Sequence, residues 1–150
     1  MELLKFAVST AVAEPGMTVR GLFQACVRAD VPGIPFRDGT GQIVGKASIR
    51  HVLKESCIPA FMVDHARLLG DQLDSLKIPE IKARLMLDLL VDDFVLPDLP
   101  TITPASPIAK ALAVMENHDT TYLFVIDADG HYHGTVSIMK VAKRILEEYA

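Results

Sequence analysis

The sequence predicts an α+β protein: two tandem β-α-β-β-α units packed with pseudo-two-fold symmetry and joined by a helical connector. The first observation is an internal repeat. Residues 12–55 lie over residues 101–144 at a constant offset of 89 without a gap. The second is which residues match. Nine of the 44 aligned pairs are identical: Pro15/Pro104, Asp30/Asp119, Asp38/Asp127, Gly41/Gly130, Gly45/Gly134, Ser48/Ser137, Ile49/Ile138, Val52/Val141 and Lys54/Lys143. The shared Pro, Asp and Gly punctuate backbone. The third is that hydrophobic periodicity changes from helical to extended at the same places in both copies.

The elements follow in order. After the shared proline, Val19, Leu22, Phe23 and Cys26 in one copy, and Ile108, Ala111, Leu112 and Met115 in the other, recur at i, i+3, i+4 and i+7, which predicts a helix. A strand follows at Gly33–Arg37 or Tyr122–Ile126. The turns Asp38-Gly39-Thr40-Gly41 and Asp127-Ala128-Asp129-Gly130 close hairpins, with glycine where positive φ is required. A second strand runs over 43–47 or 132–136. Ser48 or Ser137 then caps a second helix. A further strand leads into each unit. Units of this kind bury their exposed sheet faces against each other, leaving two equivalent clefts between them. The whole reads as one module over 1–150, with repeat one about 1–55, a helical connector about 56–92 and repeat two about 93–150.

Within the connector, Phe61, Met62, Ala66, Leu69 and Leu73 follow helical spacing, and Ile81, Leu85, Met86 and Leu89 do so after Pro79, a residue suited to a first helical turn. Arg67 and Asp71 form an i, i+4 pair on the outer side. The apolar faces of these helices either pack on their own domain or contribute to a dimer surface.

Composition excludes several classes. Half of the 150 residues are hydrophobic, mean hydropathy is +0.29 and net charge is -4. That charge supplies no global field for nucleic acid or anionic membranes. Apolar stretches are cut by Asp88, Asp92 and Asp93, or by Pro15 and Gly16, short of the ~20 residues a membrane-spanning helix needs. The amino terminus lacks the pattern of a signal peptide. The two cysteines, Cys26 and Cys57, form no CxxC cluster. The expectation is a complete, reduced, cytoplasmic chain.

The second copy carries the clearer family pattern: Thr101 to Met115, then Leu123-Phe124-Val125-Ile126-Asp127-Ala128-Asp129-Gly130, then Gly134-Thr135-Val136-Ser137-Ile138. The first has Ile34-Pro35-Phe36-Arg37-Asp38 in the equivalent strand. In order, spacing and duplication the chain resembles the cystathionine-β-synthase-type (CBS) domain pair, or Bateman module. The resemblance covers both repeats. It implies a regulatory role and a regulatory ligand, AMP, ADP, ATP or S-adenosylmethionine, held in clefts between repeats, with no cofactor required. It implies ligand-binding residues at Ile34, Pro35, Ser48, Arg50, His51, Thr103, Leu123, Ser137 and Lys140. It also implies a homodimer.

The family's ligand element is glycine, two mostly apolar residues, Thr or Ser, two more residues, then Asp. The hydroxyl stands at a helix start, where unpaired N–H groups and the dipole favour phosphate. The Asp one turn on accepts from ribose hydroxyls. Gly45 and Ser48, and Gly134 and Ser137, keep the first half, but His51 and Lys140 stand where the Asp belongs, and Lys46 replaces an apolar residue. Arg50, His51 and Lys140 put positive charge in first turns, where it opposes the macrodipole unless an anion sits there.

Other chemistry is weaker. His131 and His133 share a strand face, a spacing open to a metal, but the only further donors are the loop acids Asp127 and Asp129, and an exposed hairpin explains all four residues. The Asp127-Ala128-Asp129-Gly130 run lacks the glutamate spacing of a calcium loop. Cys57 with His51 or His65 is not oriented as nucleophile and base. No catalytic residue and no metal ligand is therefore assigned, and an enzyme is not expected. Two readings stand: a stand-alone sensor of an adenine nucleotide that signals to an unidentified protein effector through dimer or partner geometry, and a ligand-free interaction module with degenerate sites. Nucleic-acid binding is disfavoured by the charge balance.

Overall fold

The computed structural model describes residues 2–70 and 80–149. A 3-10 turn at Leu3–Phe6 leads into β1 (Ala7–Val8), followed by α1 (Val19–Ala29), β2 (Gly33–Arg37), β3 (Ile43–Ser48) and α2 (Ile49–Cys57). The connector holds α3 (Ala60–Asp64), a 3-10 turn at Ala66–Leu68, α4 (Glu80–Leu87) and a 3-10 turn at Val91–Phe94. Repeat two comprises β4 (Thr101–Ile102), α5 (Ile108–Asn117), β5 (Tyr122–Ile126), β6 (Tyr132–Ser137) and α6 (Ile138–Tyr149).

Local chemistry accounts for the boundaries. The Thr18 hydroxyl accepts from Gly21 N–H and starts α1, and Asp30 ends it in the left-handed region at φ 56°. Asp119 repeats that stop after α5 at φ 50°, Asp being one of the few side chains that tolerate it. In each hairpin turn the leading Asp accepts from two backbone N–H groups, Asp38 from Thr40 and Gln42, Asp127 from Asp129 and His131. These duplicated stops and turns are the punctuation visible in the sequence.

Strand pairing places each lead-in on the other repeat. β1 pairs with β6 through Ala7↔Val136 and Val8↔Thr135, giving the sheet order β1-β6-β5-β4. Symmetrically, Leu96 bridges to Lys46 on β3 with two backbone hydrogen bonds of 2.9 Å. Within each repeat, Ala13 bridges in parallel to Phe36 as Ile102 does to Val125. The exchange explains the duplicated glycines. A Cβ at Gly45 would run into the Leu96 carbonyl oxygen, and one at Gly134 would lie 3.1 Å from Val8 O and from Ala7 Cβ. Glycine is what lets the crossing strand approach.

Two cores result. The first gathers Val19, Leu22, Cys26, Ile34 and Val52, closed by Met86, Val91 and Phe94 from the connector. The second gathers Ile102, Met115, Leu123, Val125 and Val136, closed by Leu3 and Phe6 from the amino-terminal lead-in. Among the connector residues, Phe61 to Leu69 do not form one helix. The chain leaves helical geometry at His65, at φ -118° and ψ 25°. Asp71, Leu73 and Pro79, and with them the Arg67–Asp71 pair, lie outside the described residues. The second segment is helical, with Met86 6 % exposed in the core and Leu85 63 % exposed. Among the described residues, no helix is long and apolar enough to cross a membrane.

Candidate functional site

Each helix that follows a hairpin is started by its serine. Ser48 Oγ accepts from His51 N–H and Ser137 Oγ from Lys140 N–H, both at 3.2 Å. Each hydroxyl proton remains for another acceptor. The first amide of each helix is tied to the segment before the neighbouring strand, Ile49 N–H to Pro32 O at 3.0 Å and Ile138 N–H to Thr121 O at 2.9 Å. The elements that hold the serines are therefore related by the repeat.

Their surroundings are not. Beside Ser137 opens a cavity of about 500 Å³ whose walls come from both repeats: Cys26, Val27, Val31 and Pro32 on one side, Thr121, Ile138 and Met139 on the other. An adjoining cavity of about 630 Å³ shares Asp30 and Met139 and adds Arg28, Lys140 and Lys143. A third, of about 170 Å³, continues along Lys140 and Lys143 to Lys5 and Arg144. Arg144 is engaged by Glu147 at 3.4 Å and Glu148 at 3.5 Å. Among the described residues Lys5, Arg28, Lys140 and Lys143 form no ion pair. A mostly apolar pocket thus grades into a group of uncommitted cations, the composition that suits a flat apolar group joined to an anion.

On the Ser48 side the equivalent space is filled. Tyr122, 7 % exposed, reaches across to Gly33, where a Cβ would collide with the phenol oxygen and stand 2.9 Å from the Ala47 carbonyl. Lys46 Nζ lies 5.7 Å from the centre of the Tyr122 ring and 3.9 Å from Asp98 Oδ2. Burial pushes the Tyr122 phenol up to about 12, with the Ser48 hydroxyl pulling the other way. Gly33 and Tyr122 occupy the same position of the two repeats. One repeat sends a phenol across the axis and the other sends nothing back, so the two clefts are not equivalent.

The residues singled out from sequence divide accordingly. Ser137 and half-buried Lys140 lie on the adjoining cavities. Ser48 is buried beside Tyr122, His51 is half-buried and Arg50 is exposed. Ile34 and Leu123 are 0 % and 1 % exposed and belong to the two cores. Pro35 is buried in β2, its carbonyl accepting from Ala13 N–H at 2.8 Å. Thr103 is exposed and its hydroxyl pairs with Ser106 at 3.1 Å. Sequence reasoning missed Arg28, Asp30, Lys143 and Lys5. Asp30 and Lys143 carried a signal, their identity with Asp119 and Lys54, and for Asp30 that signal reports the helix stop. Cys57, weighed as a nucleophile, is buried with its thiol 3.6 Å from the Met86 sulfur. Cys26 is fully buried, and desolvation pushes its thiol up to about 12, which keeps it protonated and unreactive.

Residues 91–147 match the model of the CBS domain family. No curated protein matches significantly. Among solved structures, a CBS domain-containing protein of unknown function from Bacillus anthracis is similar at TM-score 0.66 and 17 % identity, covering 100 % of this chain and 95 % of its own. A CBS domain pair/ACT domain protein from Thermotoga maritima is similar at TM-score 0.59 and 20 % identity, with both chains covered 100 %. The CBS domain pair of protein MJ0100, solved in complex with 5′-methylthioadenosine and S-adenosyl-L-methionine, is similar at TM-score 0.64 and 9 % identity, covering 99 % of this chain and 98 % of its own.

Proposed function

We propose, from the premise that this chain has the fold of a CBS-domain pair and that its residues 91–147 form a CBS domain, that it is a non-catalytic sensor of an adenine nucleotide. CBS-pair proteins are regulatory. The ligand is inferred from the cleft beside Ser137. The carrying observation is the continuity of an apolar pocket between Pro32 and Ile138 with four unpaired cations, Lys5, Arg28, Lys140 and Lys143. In this reading the base lies against Val31, Pro32 and Ile138. The Ser137 hydroxyl and Lys140 take the phosphates, and Asp30, which lines the same cavity as Ser137, takes the acceptor role that Lys140 has vacated. The neighbour solved with adenosine-containing ligands supports an adenosine-based ligand. The cations favour ADP or ATP over S-adenosylmethionine, whose sulfonium they repel.

A ligand signals only by binding one arrangement better than another. The exposed apolar residues of α6, among them Ile138, Met139, Ile145, Leu146 and Tyr149, provide a surface for a homodimer or an effector directly beside the cleft. Two free buried thiols suit a reducing, cytoplasmic setting. Calorimetric titration with ATP, ADP, AMP and S-adenosylmethionine tests the ligand. The expected order is ATP and ADP above AMP, with S-adenosylmethionine weakest and affinity falling with salt. No heat with any of them at millimolar concentration would refute it. Sedimentation with and without ATP tests the dimer.

A ligand-free interaction module is the second reading, favoured by the absence of the family Asp at both His51 and Lys140. A nucleotide carried through purification would dispose of it.

A further inference from the structure

The β5–β6 hairpin carries a group of side chains that the cleft does not use. Asp127 follows β5, and its Oδ1 accepts from Asp129 N–H at 2.9 Å and His131 N–H at 3.0 Å, which holds the turn. Its Oδ2 is left over and points at imidazoles. His133 Nε2–H donates to it at 2.7 Å, and His131 Nδ1 lies 3.5 Å away. One ligand atom each from Asp127, Asp129 and His131 lie within 4.8 Å of one another. Among the described residues no other three His, Cys, Asp or Glu side chains converge in this way.

The repeat supplies an internal control. The β2–β3 hairpin folds the same turn, with Asp38 Oδ1 accepting from Thr40 N–H at 2.9 Å and Gln42 N–H at 3.3 Å. At the positions of Asp129, His131 and His133 it has Thr40, Gln42 and Val44. The turn therefore requires its leading aspartate and nothing more. The second carboxylate and both imidazoles of the other hairpin are additions that folding does not explain.

We propose that Asp127, Asp129 and His131 form a surface site for a divalent transition-metal ion, with Zn²⁺ as the fitting species and His133 orienting the Asp127 carboxylate through its hydrogen bond. One imidazole nitrogen and two carboxylate oxygens are three donors of a tetrahedral site, the fourth place being open to water, with bonds of about 2.0–2.2 Å that place ligand atoms roughly 3–3.5 Å apart. The 3.5 Å separation between Asp127 Oδ2 and His131 Nδ1 matches that spacing. Nitrogen donors select Zn²⁺, Ni²⁺ or Cu²⁺ over Mg²⁺ and Ca²⁺, which take oxygen. The donors span five residues of one hairpin, 127–131, so the turn pre-organises most of the site.

The test uses the full chain with any affinity tag removed. ZnCl₂ is titrated calorimetrically while the imidazole nitrogens are followed by NMR. One Zn²⁺ per chain is expected, with the His131 and His133 resonances moving and those of His51, His65 and His118 unmoved. His131→Ala and His133→Ala each weaken binding by about ten-fold or more, and Asp129→Asn weakens it too. These side chains are on the surface, so circular dichroism and the thermal midpoint without metal stay those of the parent. No saturable Zn²⁺ binding, binding unchanged in the double histidine variant, or Ca²⁺ bound as well as Zn²⁺ would overturn the proposal.

Discussion

Replacing Phe6 by alanine should destabilise repeat two, although Phe6 lies in the repeat-one part of the sequence. Phe6 is 2 % exposed and packs in the second core with Leu3, Ile102 and Val136. Truncating a buried phenylalanine to alanine costs about 3–5 kcal/mol, the lost transfer energy plus the cavity left behind. Domains of this size hold together by about 5–15 kcal/mol, so the change removes a large fraction of the margin. At about 2–4 °C per kcal/mol for 150 residues, the thermal midpoint should fall by roughly 6–20 °C. Leu4→Ala is the control. Leu4 is 45 % exposed on the same turn, and its loss should matter by no more than about 0.5 kcal/mol. Urea unfolding gives the size of the effect, and hydrogen exchange its place. Amides of β6 and α6 should lose protection while those of β3 and α2 keep theirs. A midpoint within about 2 °C of the parent, or protection lost first in β3 and α2, would refute the exchange of lead-ins.

Tyr122→Ala should open the cleft beside Ser48, raising nucleotide stoichiometry from one to two per chain in a titration; two sites in the parent would show that the phenol blocks nothing. The same change should lower stability by about 3–5 kcal/mol, as for other buried aromatics, including the edge-on contact with Phe124 at 5.8 Å. Gly45→Ala should unfold or loosen the Leu96 crossing, seen as lost protection at Lys46 and Leu96, because its Cβ meets the Leu96 backbone carbonyl, which cannot swing away, as well as the Val95 side chain. Stability should hold up to about pH 9 and decline above it. Cys26 and Tyr122 ionise at about 12 when folded, against ordinary values of 9.0 and 10.0. Both are charged only after losing a proton, so burial protects the neutral form. Their contribution is complete below pH 9 and is lost as pH climbs toward 12, at about 1.4 kcal/mol for each pH unit that separates the folded and unfolded values. A thermal midpoint unchanged from pH 8 to pH 11.5 would contradict this.

How much of this was legible depends on the range of the interaction that decides it. Asp30, Asp38, Gly41 and Ser48 act on backbone within four residues of themselves, and their duplicates do the same, so elements and repeat could be read directly. The exchange of lead-ins could not. β1 and β4 are two residues long, too short to show a period, and the partner of Ala7 is Val136. Gly45 and Gly134 were visible as a pair, yet resemblance attached them to a ligand, while their neighbours are Leu96 and Val8. The Ser137 cleft is assembled from Lys5, Arg28 and Lys140, which only the fold brings together. Tyr122 and Gly33 could be aligned, but nothing local says that the phenol crosses the axis. In the connector, helical spacing from Phe61 to Leu69 is misleading because His65 carries no breaker signal.

The crossing strands also set the order in which a growing chain can finish its two halves. Residues 91–96 come soon after α4, so the first core closes as soon as they emerge, with β5 and β6 still to be made. Leu3 and Phe6 precede both hairpins, yet the β6 residues they pack beside, such as Val136, come only after β5. Until then those two side chains have no native place to go. Loop closure over that separation is slow relative to local pairing. Docking of the amino-terminal turn on the second core therefore waits until the second hairpin has been made.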